Sequence, residues 1–118
     1  GYPLRVRFGE TIEYDPIGNA LGKLLAPGGA DALLWIDSFG GHPNPPQFSP
    51  LDHTIVLSAI RPKNAGNLGA FIPIGTPGID HYSRLVRTDS VVTLPLDTMR
   101  TVGLPNVSTV LSDITEKL

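Results

Sequence analysis

Asp37 and Ser38 stand together at the end of an apolar run, and Arg61 follows a second such run. A carboxylate and a hydroxyl at a strand end can bind a ribose or a base amine, and a guanidinium fits a phosphate. The same Asp37-Ser38 pair can instead close the next turn by bonding backbone amides, and its residue types favour that use. Three histidines, His42, His53 and His81, lie in or beside loops. With Asp37, Asp52 and Asp80 they offer the nitrogen and oxygen donors of a metal site. No pair has the i, i+4 spacing of a helical ligand pair, so surface or loop packing is the better reading.

Other candidate motifs are weaker. Gly18-Asn19-Ala20-Leu21-Gly22-Lys23 approaches a phosphate loop but has three residues between its glycines. A Walker loop needs four, and a Ser or Thr after the Lys to hold magnesium; here Leu24 follows. Lys23 therefore reads as an exposed helical cation. No G-x-S-x-G elbow exists for serine catalysis. Gly75-Thr76-Pro77-Gly78 is a stiff turn that could also let backbone approach a ligand or partner. Asn106-Val107-Ser108 matches a glycosylation sequon, which counts for little without a secretory signal.

These residues need elements to hold them. LRVRF alternates as a half-buried strand does. Asp15 can cap a helix that begins at Pro16, with Ile17, Leu21, Leu24 and Leu25 as its apolar stripe and Pro27-Gly28-Gly29 as its stop. Ala32–Ile36 has no alternation and reads as a strand buried on both faces. The Gly/Pro-rich loop Phe39–Pro50 leaves room for little more than a helical turn before Leu51. Thr54–Ala59 is a second buried strand, Asn64–Gly69 a polar loop, and Ala70–Ile74 a third short strand. The chain between these strands is too short for a full helix on every crossover, so their parallel order rests on the apolar runs. Ser83–Arg87 and Val91–Leu96 flank Thr88-Asp89-Ser90, which suits a hairpin with a three-residue loop. In the tail 106–118, Val107, Val110, Leu111 and Ile114 share one face of a C-terminal helix.

Composition narrows the classes further. A chain of 118 residues, 41% hydrophobic and 17% charged, suits one globular domain. A net charge of −2 gives no electrostatic reason to bind nucleic acid or an anionic membrane. With no cysteine there is no disulfide, no thiolate metal site and no thiol nucleophile. No apolar run approaches the roughly 18 residues of a membrane span. A cytoplasmic location is the expectation. The chain does not begin with Met, which points to processing or to a portion of something longer.

Taken in order, GYPLRVRFGETIEYDPIGNALGKLL, DALLWIDSF, TIVLSAIRP, FIPIGTPGID and RLVRTDSVVTLPL resemble the C-terminal part of the B-type polypeptide of formylmethanofuran dehydrogenase. That polypeptide is a member of the molybdopterin oxidoreductase superfamily. The resemblance covers nearly the whole chain, and its specificity lies in the combination of segments. It implies an α/β fold: a three-layer Rossmann-like sheet with mostly parallel strands, a β-hairpin near the C-terminus and a C-terminal helix. Residues 1–118 would then be a single domain, the C-terminal portion of a longer subunit.

In the archaeal pattern, the strand matching Ala32–Asp37 runs into a Ser-Asp-Pro turn, and the strand matching Thr54–Ala59 into an Asp-Pro-Arg-like turn. Those turns help to hold a guanosine end of the bis-pterin cofactor. Here they read Asp37-Ser38-Phe39 and Ile60-Arg61-Pro62, without the proline of the first or the acid of the second. Guanine donors left unpaired in a buried pocket cost about 1–3 kcal/mol. No cofactor is expected, although Asp37, Ser38 and Arg61 leave room for a degenerate molybdopterin guanine dinucleotide site.

The GTPGID loop with Arg84–Leu96 is more similar to the methylotroph version, which is part of a formyltransferase/hydrolase complex of one-carbon metabolism. The resemblance thus implies a non-catalytic structural domain whose partners are the other subunits of that complex, with no nucleic acid, no membrane and no metal. Phe39–Pro50 and Gly75–Tyr82 would be its contact surfaces. The alternative is a residual nucleotide- or molybdopterin-guanine-binding domain of an oxidoreductase.

Overall fold

Thr54–Ser58 (β4) is the strand around which the chain is built, because its TIVLS run places apolar or small side chains on both faces. The computed structural model describes residues 4–5, 12–87 and 91–117. Leu33–Asp37 (β3) and Ala70–Pro73 (β5) pair with β4 on either side, both parallel, in the order β3-β4-β5. The registers run from Leu33↔Thr54 to Asp37↔Ser58 and from Ile55↔Ala70 to Ser58↔Pro73. The parallel order expected from the apolar runs is therefore present, in a small α/β fold.

Strand periodicity divides the side chains of β4 between two faces. Ile55 and Leu57 share one face with Ile72 of β5, and Ile74 continues that row. The C-terminal helix Val107–Thr115 (α2) lies on this face. Leu57, Ile74 and Val110 form the buried core, with Ile55, Ile72, Val107, Leu111 and Ile114 packed around it. The helical stripe read from the tail is thus the stripe that meets the sheet. Asn106 caps α2 by accepting the Thr109 amide at 2.8 Å.

On the other face Val56 is fully buried, and Trp35 shares its row. Here the covering element is the loop Phe39–Pro50. Trp35 Nε1 donates to the His42 carbonyl at 2.9 Å, and Lys63 N to Asn44 Oδ1 at 3.1 Å. Phe48 of the loop is itself buried. The crossovers hold only single turns of 3-10 helix, at Leu51–His53 and Ala65–Asn67, as their short lengths required.

Two sequence expectations are corrected. β3 is not buried on both faces: its exposure alternates along the strand, and Leu34 and Ile36 remain 44% and 42% exposed. It is an edge strand, and α2 packs over β4 and β5 instead. The expected helix from Pro16 is also reduced. Residues 16–19 form a turn, and only Leu21–Leu24 (α1) is helical. Asp15 Oδ1 accepts the amides of Ile17 and Gly18 in an Asx-type closure, and Ala20 is extended, so no stripe forms. Gly18 and Gly22 weaken helix propagation across this segment.

Ser83–Val86 (β6) and Thr93–Leu96 (β7) form the expected antiparallel hairpin. Its turn residues, Thr88-Asp89-Ser90, lie outside the described residues. Leu4–Arg5 (β1) and Glu13–Tyr14 (β2) make a second, two-residue antiparallel pair, and the rest of LRVRF lies outside the described residues. Among the described residues, no helix is long and apolar enough to cross a membrane.

The core is small, so each member carries much of the stability. Leu57→Ala removes a fully buried side chain between the sheet and α2. A loss of about 2–5 kcal/mol is expected, read as a lowered urea midpoint in circular dichroism. A loss under about 1 kcal/mol would mean that the sheet does not depend on this contact.

Candidate functional site

Open parallel sheets place ligand crevices outside the carboxyl ends of their strands. A cleft of about 290 Å³ lies there, where Ser38 follows β3 and Asn106 and Ser108 begin α2. His81, Tyr82 and Ser83, the residues that enter β6, form its far wall. Its position follows from the topology. β3 ends at the cleft, and the chain leaving β5 returns across it before turning into the hairpin.

That returning loop is held by a buried acid. Asp80 is 7% exposed. Its Oδ2 accepts the Thr76 amide at 2.8 Å, and its Oδ1 accepts Arg100 Nε. The Arg100 guanidinium, followed by the Thr76 amide, holds the Asp80 carboxyl below its ordinary value. The amides of Met99 and Arg100 both donate to the Ile79 carbonyl, and Gly75 N donates to the Pro105 carbonyl. Gly78 has φ +74°, and a Cβ on it would lie 2.8 Å from Leu96 Cβ. Glycine there serves both the turn and the close approach.

The polar groups of the cleft are occupied mainly by structure. His81 Nδ1 lies 2.9 Å from the Tyr82 carbonyl, and Nε2 lies 3.3 Å from the Gly75 carbonyl. Both ring nitrogens therefore face main-chain acceptors, and neither is directed at a serine hydroxyl. Asn106 Oδ1 is taken by the amide and hydroxyl of Thr109. Among the described residues, Ser38, Ser83 and Ser108 have no base bonded to them, so the pairing that activates a serine nucleophile is not formed. What the cleft offers is neutral hydrogen bonding.

The three residues read from sequence as binding candidates occupy different settings. Asp37 Oδ2 accepts the His42 amide at 2.9 Å, so its carboxylate closes the loop after β3, as its residue type suggested. Ser38 lines the cleft. Arg61 has its guanidinium carbon 5.7 Å from the centre of the Phe71 ring. It is not in the cleft wall. No group of three His, Asp or Glu residues able to hold a metal occurs among the described residues. His53 bonds the Asp31 carbonyl, His42 acts through its backbone, and His81 is placed as above. Lys23 is exposed on α1, and the nearby Gly18 amide is already bonded to Asp15.

Sequence reading missed the Asp80–Arg100 link and the cap role of Asn106. The cap had a signal in Asn-x-x-Thr before an apolar stripe. The link had none, since twenty residues separate its partners without a pattern. Comparison with family models, curated proteins and solved structures finds no match to this chain.

The direction of the Asp80 shift fixes a pH dependence. A carboxyl held below its ordinary value of 3.8 stabilises the fold fully above that pH and loses this contribution as pH falls through the lower folded value. Urea midpoints measured from about pH 6 down to about pH 2.5 are expected to drop in the wild type below the ordinary carboxyl range. Asp80→Asn should start lower at the neutral end and show a shallower drop. Parallel profiles for the two would remove Asp80 from this role.

Proposed function

We propose that the chain is a non-catalytic structural and assembly domain of a formylmethanofuran dehydrogenase-like formyltransferase/hydrolase complex, working in the cytoplasm beside that complex's other subunits. The observation that supports this best is the apolar surface left in solvent. On the hairpin, Leu85 and Leu94 stand opposite one another and are both exposed, and an apolar patch of this kind marks a contact surface for another protein.

Other exposed apolar side chains support the same reading. Phe39 projects from the proline-rich loop, and Leu85, Val86 and Leu94 are exposed on the hairpin. A two-stranded ribbon with so little cover is marginal by itself and gains from a partner. The Gly75–Tyr82 loop, expected as a contact surface, has much of its polar backbone bonded within the chain and presents Ile79 and Tyr82. In the assembled state, a layer supplied on the Phe39–Pro50 side would complete a three-layer Rossmann-like arrangement. Co-expression with the other subunits should make the chain co-purify in fixed stoichiometry, and Leu85→Asp with Leu94→Asp should cut recovery at least tenfold. A chain that elutes alone while the other subunits assemble would refute the reading.

A second reading, a residual nucleotide or molybdopterin-guanine site, draws on the cleft at Ser38. Against it stand the engagement of Asp37 by His42 and the place of Arg61 outside the cleft wall. Calorimetric titration with GMP and GDP is expected to give no saturable heat up to millimolar ligand. Saturable heat that Ser38→Ala abolishes would reverse the preference.

A further inference from the structure

His81 stands in the loop that joins the parallel sheet to the hairpin. Its Nδ1 lies 2.9 Å from the Tyr82 carbonyl, and its Nε2 lies 3.3 Å from the Gly75 carbonyl. Gly75 is buried two residues after β5, and Tyr82 directly precedes β6. The ring thus spans the two ends of the loop. It is also closely seated, since a Cβ on Gly75 would lie 3.2 Å from His81 Cδ2. Glycine at that position lets the imidazole rest against the main chain.

A neutral imidazole has one N–H and one lone pair, whereas an imidazolium has two N–H groups. Carbonyl oxygens only accept. One neutral tautomer serves Tyr82 and the other serves Gly75, and in each the second nitrogen turns a lone pair toward an oxygen. The charged ring donates to both. A main-chain carbonyl shut away from water needs a donor, so the charge on the ring decides whether both ends of the loop are held.

We propose that His81 is a charge-dependent clamp: the imidazolium ties the Gly75 carbonyl to the Tyr82 carbonyl, and loss of its proton frees one of them. His81, Tyr82 and Ser83 form one wall of the cleft. Release therefore loosens that wall together with the entry to β6. Histidine suits this role because its charge ordinarily changes between about pH 5 and 8. The charged groups around the ring hold their charge over that range. Asp80, next in the chain, is kept below its ordinary value by Arg100 and the Thr76 amide, and Arg100 is raised in turn by Asp80. On the hairpin, Arg84 Nε donates to the Tyr82 hydroxyl at 3.3 Å, which raises Arg84 as well. β3 and α2 bring Ser38, Asn106, Val107 and Ser108 to the cleft, and none of these carries a charge. The clamp needs neither partner nor ligand, so it stands or falls apart from the assembly reading.

Nuclear magnetic resonance of the isotope-labelled chain, in steps from about pH 5 to about pH 8, tests it. Backbone order over residues 76–83, read from heteronuclear Overhauser effects, is expected to fall as the pH rises. That fall should track the ring-nitrogen signals of His81 and not those of His42 or His53. His81→Gln should abolish the response, whereas His42→Gln and His53→Gln should keep it. Order that stays constant across the series, or a response that survives His81→Gln, would overturn the proposal. Should His81→Gln fail to fold, the wild type decides alone: loss of order that follows the His81 ring supports the clamp, and loss that follows another histidine or none refutes it.

Discussion

The carboxylate of Asp80 is the constraint on which the arrangement of the pieces depends. The parallel sheet, the hairpin and α2 are three units with short connections, and the loop from Gly75 to His81 touches all of them. A buried carboxylate is tolerable only when its oxygens are bonded, and here the Thr76 amide and Arg100 meet that need. Satisfying Asp80 fixes the shape of the loop and brings in the Met99-Arg100 turn, whose amides bond Ile79. Gly75 bonds Pro105 one residue before the α2 cap, so the helix is registered on the sheet through the same loop. Losing Arg100 would leave the buried acid with the Thr76 amide alone, a costlier change than replacing both partners together.

This linkage compensates for a thin core. Leu57, Ile74 and Val110 are the buried members of the main cluster, and the second sheet face is closed by a loop. The covered area lies over β4 and β5, while β3 and the hairpin keep apolar side chains in solvent. Among the described residues, the cleft beside Ser38 holds hydroxyls and amides, and none of its serines is bonded to a base.

Much of the fold was legible because burial and periodicity agree in β4, β5, the hairpin and α2. In α2, Val107, Val110, Leu111 and Ile114 recur at helical spacing, and all four meet the sheet. Two segments misled for different reasons. β3 has the composition of a central strand, but a sequence pattern does not reveal how many neighbours a strand has. Between Asp15 and Leu25, apolar spacing suggested a helix, while Asp15 closed a tighter local turn with Ile17 and Gly18. The site was less legible than the fold. Asp37 and Ser38 are adjacent in sequence, yet one closes a loop and the other faces the cleft.

The sequence by itself determined that the strands β4 and β5, the hairpin and the C-terminal helix would form, because side-chain periodicity and turn chemistry act over a few residues. It also excluded thiol chemistry, and it offered no strongly basic surface. Only the tertiary structure decided which strand stands at the edge, how Asp80 finds Arg100 and which polar groups share a cleft. Those outcomes depend on residues brought together from distant parts of the chain. Their energies come from desolvation and hydrogen-bond geometry, which exist only once the surfaces have met.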